Sequence, residues 1–471
     1  MRLPQLLRGL TLSLIVTPGI TWGGEPVTRM QPETGAHGGY AIVVQRATEE
    51  DSAWQPVVET LRSKHDGTVI VWDTEVEESL ESLQQLFPRY TCFVGKSDDV
   101  GGDFVRRVHQ LTAKLDSDPF TDTFWAILTG YDAQNALTIA SHTEPLVIRK
   151  VASGTEFATE MVVEGQWYDE LVKNKHVRKY PGGEVEQLRG PDDTTAPLVN
   201  LINNYQPDLM ITSGHATQGN WQIGFRFRSG YFRSSAGRMY GQDTERRQLE
   251  INSPNAKVYL PIGNCLMGDI NGPDAMALAW MNDVGVRQML GYTEPTWFGY
   301  MGWGVLDYFV EQPGRYTLTE AFFANHHALV HRLNDPATPV RDLRGLKFDR
   351  DVVAFYGDPK WSATMAKLPK RYGQHLTIDG DEYTLTITPQ SGEDSFRPVN
   401  TNGSQRGWRP MVQFLPHRVS EVHVLDGQQL EPVIADDFIL VPNPREVNGK
   451  EPYVVRFRAD RILPGAGDTA N

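Results

Sequence analysis

The sequence predicts a mixed α/β protein: two consecutive α/β subdomains with mostly parallel, doubly wound sheets, then a small all-β sandwich. Three observations predict it. Short apolar runs alternate with helical segments from Tyr40 to Tyr131, and the alternation resumes from Ala196. Beyond about residue 370 the pattern becomes apolar–polar alternation between turn residues, with no helix. Strands separated by helices of this length pair in parallel under helical cover, whereas half-buried alternating strands joined by turns form antiparallel layers.

The first subdomain, residues 38–151, reads strand (40–44), helix (51–67), strand (68–72), helix (75–87), strand (91–95), helix (103–115) and strand (123–130). The second, residues 152–369, begins with a polar, charged stretch to about 190 that shows neither period. A helix over 196–205 then leads to the strand "DLMIT" (208–212), and "AKVYLPI" (256–262) follows as the next strand. The helix at 272–285 carries Pro273 in its first turn and Gly285 at its stop. After the strand at 286–293, Thr317 and Glu320 stand in capping-box spacing at the head of a helix running to Asn334. Residues 370–465 supply the sandwich.

Residues 1–24 read as an export signal. Arg2 and Arg8 precede the apolar "GLTLSLIVTPGI", with small residues near Thr21 and Gly23. The expectation is an exported protein: secreted, periplasmic or at the cell surface. No later run has the ~20 apolar residues a membrane helix needs, so no membrane span is expected in the mature form. The net charge of −14 excludes a general nucleic-acid binder, which needs a basic face. Two cysteines, Cys92 and Cys265, are too few for a disulfide scaffold. Cys92 sits in the apolar run "RYTCFVGK", where a packed hydrophobe is expected. A bridge between the two would remove the free thiol.

Two apolar runs stop at reactive side chains: "DLMITSGHATQGNW" at His215 and "AKVYLPIGNCLMGDI" at Cys265. In open α/β sheets, functional groups gather outside the carboxyl ends of the strands. A thiol with pKa near about 8.5 is mostly protonated at neutral pH, and a nearby imidazole can take its proton or stabilise the thiolate. Backbone N–H groups at Ala216 and Cys265 are placed to hold a developing oxyanion. The plainer alternative is two packing residues that happen to follow core strands.

Three short motifs in order carry a resemblance. "SGHATQGNW" is similar to the Gly-His segment, with a Trp six residues on (Trp221), of the gingipain family of caspase-like cysteine peptidases. "NCLMGDI" is similar to its Cys-x-x-Gly-Asp segment, with Gly268 and Asp269, and "FYGDPKW" (355–361) to its Gly-Asp-Pro signature. The resemblance covers about residues 38–465. It implies a caspase-like fold with an immunoglobulin-like sandwich, and a cysteine endopeptidase acting on a protein or peptide, after basic residues by default. Cys265 would be the nucleophile, His215 its base, and Ala216 and Cys265 the oxyanion hole. Trp221, Thr293 and Trp297 would contact substrate, the last two from the loop "GYTEPTWFGYMGWG" (291–304). No cofactor is required, and a structural Ca2+ is an expectation of the resemblance alone. The chain departs from the family at Ala216, where a Gly is usual, and in lacking a Gly-Arg element near "YDAQNALTIASH". Those departures keep two alternatives open: a catalytically inert scaffold or binding relative, and a different thiol amidase or transpeptidase.

Other signals carry less. His327 and His331 stand four apart on one helix, but Ala328 replaces the glutamate a zinc peptidase uses, so no metal is expected there. Asn402-Gly403-Ser404 is a formal glycosylation sequon.

Overall fold

The computed structural model describes residues 39–447 and 451–462; the export signal expected over 1–24 lies outside them. One sheet of twelve strands runs through the α/β part. From one edge its order is Thr68–Trp72, Tyr40–Gln45, Tyr90–Val94, Phe124–Leu128, Val353–Gly357 and Val286–Tyr292. It continues with Lys257–Pro261, Leu209–Thr212, Lys150–Ser153, Glu164–Tyr168, Lys175–Lys179 and Val185–Arg189. Strands are parallel within each half, except at the far edge, where Lys175–Lys179 and Val185–Arg189 add antiparallel in succession to Glu164–Tyr168. The halves meet antiparallel where Val286–Tyr292 pairs with Val353–Gly357, with Tyr292 opposite Val353. The sheet therefore crosses the expected boundary near residue 151, and the strand that joins its halves comes from near the end of the α/β region.

Parallel strands buried on both faces should be almost wholly apolar, and these are, with Thr212 and Lys257 as exceptions. Phe124–Leu128, Leu209–Thr212, Lys257–Pro261 and Val353–Gly357 are buried at every position. The Lys257 ammonium is accommodated by three carbonyls, those of Ser253, Asn255 and Val284; burial pulls its pKa down to about 7. The stretch without clear period, 152–190, supplies strands Glu164–Tyr168, Lys175–Lys179 and Val185–Arg189, the last two forming a polar antiparallel edge. A five-stranded antiparallel sheet occupies the segment between the histidine and cysteine strands, from Ala216 to Glu250.

The C-terminal region forms two antiparallel sheets, of four and three strands. Its smaller sheet has two apolar faces. Met411, Ile439 and Val441 join a local core with Tyr383, Leu385, Val455 and Phe457. Val412, Phe414, Phe438 and Leu440 face the main core instead. There Phe414 meets Phe124 edge-on at 4.9 Å and Phe438 stacks on His327 at 4.3 Å. His327 is thus core: burial lowers its pKa to about 4. Among the described residues, no helix is long and apolar enough to cross a membrane.

Candidate functional site

The histidine and cysteine strands are parallel neighbours in register, from Leu209 opposite Val258 to Thr212 opposite Pro261. Both chains therefore leave the sheet at one edge, three residues before His215 and four before Cys265. Asn264 ties the two exits together. Its Oδ1 accepts from Thr212 Oγ1 at 2.6 Å and its Nδ2 donates to Gly214 O at 3.0 Å. It is fully buried, so each bond lost would leave a desolvated group costing about 1–3 kcal/mol.

Beyond Asn264 the cysteine turn is strained. Leu266 has φ +58°, a left-handed conformation that costs a branched residue about 1–3 kcal/mol and tends to occur at working sites. The Cys265 thiol is partly exposed and free, and Thr296 N donates to its Sγ at 3.3 Å. Cys92 is also free but fully buried, and burial pushes its thiol pKa up. No bridge joins them.

The Gly-Asp pair after the cysteine is architectural. Gly268 N donates to Tyr292 O at 2.8 Å, and any side chain there would run into the Gly291 backbone. Asp269 Oδ1 accepts from Gly102 N (3.1 Å), at the start of the Gly102–Thr112 helix, while Oδ2 accepts from Gln218 Nε2 (3.0 Å) in the histidine loop. One carboxylate thus holds the first half of the molecule, the histidine loop and the cysteine turn together. The 355–361 motif lies in the other half of the sheet. Asp358 is paired with Lys64 (2.9 Å) and His65 (2.7 Å) and accepts from Tyr40 OH. Burial alone would raise its pKa; the hydrogen bonds and charges of His65 and Lys64 instead hold it far below the usual carboxylate range.

His215 is exposed, with its ring stacked on Phe225 at 4.6 Å. It opens a short hairpin in which Ala216 faces Trp221 and Gln222 N donates to His215 O at 2.9 Å. Trp221 is fully buried and its Nε1 donates to Ser213 O at 2.7 Å. It supports the histidine turn from inside, so the expected substrate contact is corrected to a buttress. Thr293 is corrected likewise: it is buried, and its hydroxyl donates to Val352 O at 3.1 Å. Trp297 is half exposed, one residue from the backbone that touches the thiol. The expected pocket loop 291–304 is shorter than its sequence suggested, because Tyr300–Phe309 is a buried helix.

Behind the histidine turn lies a buried acid that the sequence does not single out, Glu170. Its Oε1 accepts from Thr155 Oγ1 at 2.6 Å and from Ser213 Oγ. Its Oε2 has no partner and would lie 2.9 Å from a Cβ placed on Gly214, where φ is +97° and only glycine fits easily. Burial raises its pKa, with the two hydroxyls opposing. The available signal was an acid just after the aromatic pair Trp167-Tyr168, masked by a segment with no clear period. Elsewhere, oxygens of Asp116, Asp118 and Asp436 lie within 4.8 Å of one another.

No protein-family model matches the chain, and neither the curated proteins nor the solved structures provide a match. The functional reading therefore rests on the site itself.

Proposed function

We propose that the chain is an exported cysteine endopeptidase of gingipain-like type, with a caspase-like catalytic region and an immunoglobulin-like C-terminal sandwich. The observation that carries this reading is the in-register pair of parallel strands whose exits, laced by Asn264, end in a partly exposed thiol and an exposed imidazole. The Cys265 sulfur attacks the scissile carbonyl as His215 takes the thiol proton. The N–H groups of Ala216 and Cys265 stabilise the oxyanion. The imidazolium then protonates the leaving amine, and water activated by His215 releases the acyl group and restores the thiol. Trp297 stands on the substrate side, and preference for a basic residue before the cleaved bond follows from the resemblance alone.

Structural Ca2+ belongs to the same resemblance, and the hard oxygens of Asp116, Asp118 and Asp436 suit it. Bound there, it would relieve a cluster in which burial and mutual repulsion push Asp118 up to about 6 and Asp122 up to about 9.

One observation favours an inert scaffold instead: the His215 ring lies against Phe225. Cleavage of a peptide library separates the readings. The peptidase cuts peptides and Cys265→Ala does not; equal, background-level turnover by both would defeat the proposal.

A further inference from the structure

A strap from the C-terminal β region, residues 398–409, reaches the thiol–imidazole site at three places. Asn402 Nδ2 donates to Thr155 Oγ1 (3.3 Å) and to Glu156 O (3.2 Å), while Asn400 Nδ2 donates to Glu156 Oε1 at 3.0 Å. Thr155 in turn shares the Glu170 Oε1 acceptor with Ser213, two residues before His215. Gly403 packs on the Trp303 ring, and the same ring lies against Gly263, two residues before Cys265. Ser404 Oγ donates to Phe298 O at 2.6 Å, in the loop whose Thr296 N touches the thiol. The strap is firmly anchored. Arg406, 1% exposed in its side chain, pairs with Asp307 at 2.7 Å and with Glu311, and Arg409 pairs with Asp307 at 3.1 Å.

We propose that Asn402 is a positioning residue of the thiol–imidazole site: its amide fixes Thr155 and, through the shared Glu170 carboxyl, the Ser213–Gly214–His215 turn. The C-terminal region is then part of the working site rather than an appended module. This rests on the peptidase reading for its catalytic meaning, but the contact is testable without it. Thr155, Glu170 and Ser213 are each at least nine-tenths buried and Asn402 is partly buried, so a change at its amide acts on a network largely shielded from water. Networks of this kind are sensitive to the loss of one member.

The test compares Asn402→Ala, Asn402→Asp and, as control, Thr401→Ala, an exposed neighbour, in the full chain. Two readouts are taken: amide hydrogen exchange of the segment 212–222, and the pH profile of Cys265 alkylation by iodoacetamide. Asn402→Ala should speed exchange and slow alkylation by about 3- to 10-fold, the scale of one buried hydrogen bond. Asn402→Asp should match it at low pH and fall further behind as pH rises. Its new carboxylate would face Glu156 and the Glu170 network, while the cations beside them are already engaged: Lys175 pairs with Glu156, and Arg406 donates to the Asn402 carbonyl and pairs with Asp307 and Glu311. A purely structural gap would not give that pH dependence. Variants that exchange and alkylate like Thr401→Ala overturn the proposal. If His215→Ala leaves Cys265 reactivity unchanged, the peptidase reading falls and exchange alone decides. Faster exchange at 212–222 keeps Asn402 as the positioning contact; unchanged exchange removes it.

Discussion

The two halves of the central sheet share one grammar of parallel strands under helices, yet end it differently. In the first half, the region beside the Tyr40 strand is closed by Asp358, paired with Lys64 and His65 and bonded to Tyr40 OH, while Cys92 lies fully buried in the neighbouring strand. In the second half, the Leu209–Thr212 and Lys257–Pro261 strands end in an exposed histidine, a left-handed Leu266 and a partly exposed cysteine. A thiol buried among apolar side chains is inert, whereas one at a strained, solvent-facing turn can be recruited for chemistry. The difference teaches that here the Gly-Asp-Pro motif is a brace, while backbone strain and an exposed thiol and imidazole coincide at the other strand ends.

Breaking the brace should produce the largest change in stability. Asp358→Asn leaves Lys64 short of its charge partner in a buried setting, and unfolding in denaturant should show a loss of about 3–5 kcal/mol. The sign with pH follows from its depressed pKa. The ion pair's contribution is complete above the ordinary carboxylate range near about 4 and is lost as pH falls through the native value. Wild type should therefore lose stability in acid more steeply than the variant. Equal acid slopes would show that the brace is not electrostatic.

Asn264→Ala sharpens the comparison from the other side. It removes the lacing between the two strand exits and should cost about 1–3 kcal/mol. It should also slow Cys265 alkylation, whereas Asp358→Asn, measured where the protein is folded, should not. A variant at Asn264 that loses stability but keeps full thiol reactivity would show that the exits do not depend on each other.

Much of the parallel architecture was legible in the sequence, because strands buried on both faces are short, wholly apolar runs between periodic helices. The runs at 40–44, 68–72, 208–212 and 256–262 fall within or match the observed strands almost residue for residue. The polar edge strands Lys175–Lys179 and Val185–Arg189 were not, since their cross-strand partners rather than their composition define them. The helix Tyr300–Phe309 was hidden because it is buried all round and so lacks an amphipathic period. Nor could the sequence show that Val353–Gly357 inserts between the halves, a contact made over long separation. That His215 and Cys265 follow neighbouring strand ends was readable from two apolar runs that stop alike. The places of Glu170, Asn264 and Asn402 were not, because their partners are brought near only by folding.

The most direct measurement is the rate of Cys265 alkylation by iodoacetamide across pH, in wild type and His215→Ala, with Cys92 buried as the internal reference. The account predicts fast labelling well below pH 8 in wild type, lost by about 10- to 100-fold without the imidazole. Labelling that rises only with an ordinary thiol titration and is indifferent to His215 would contradict it.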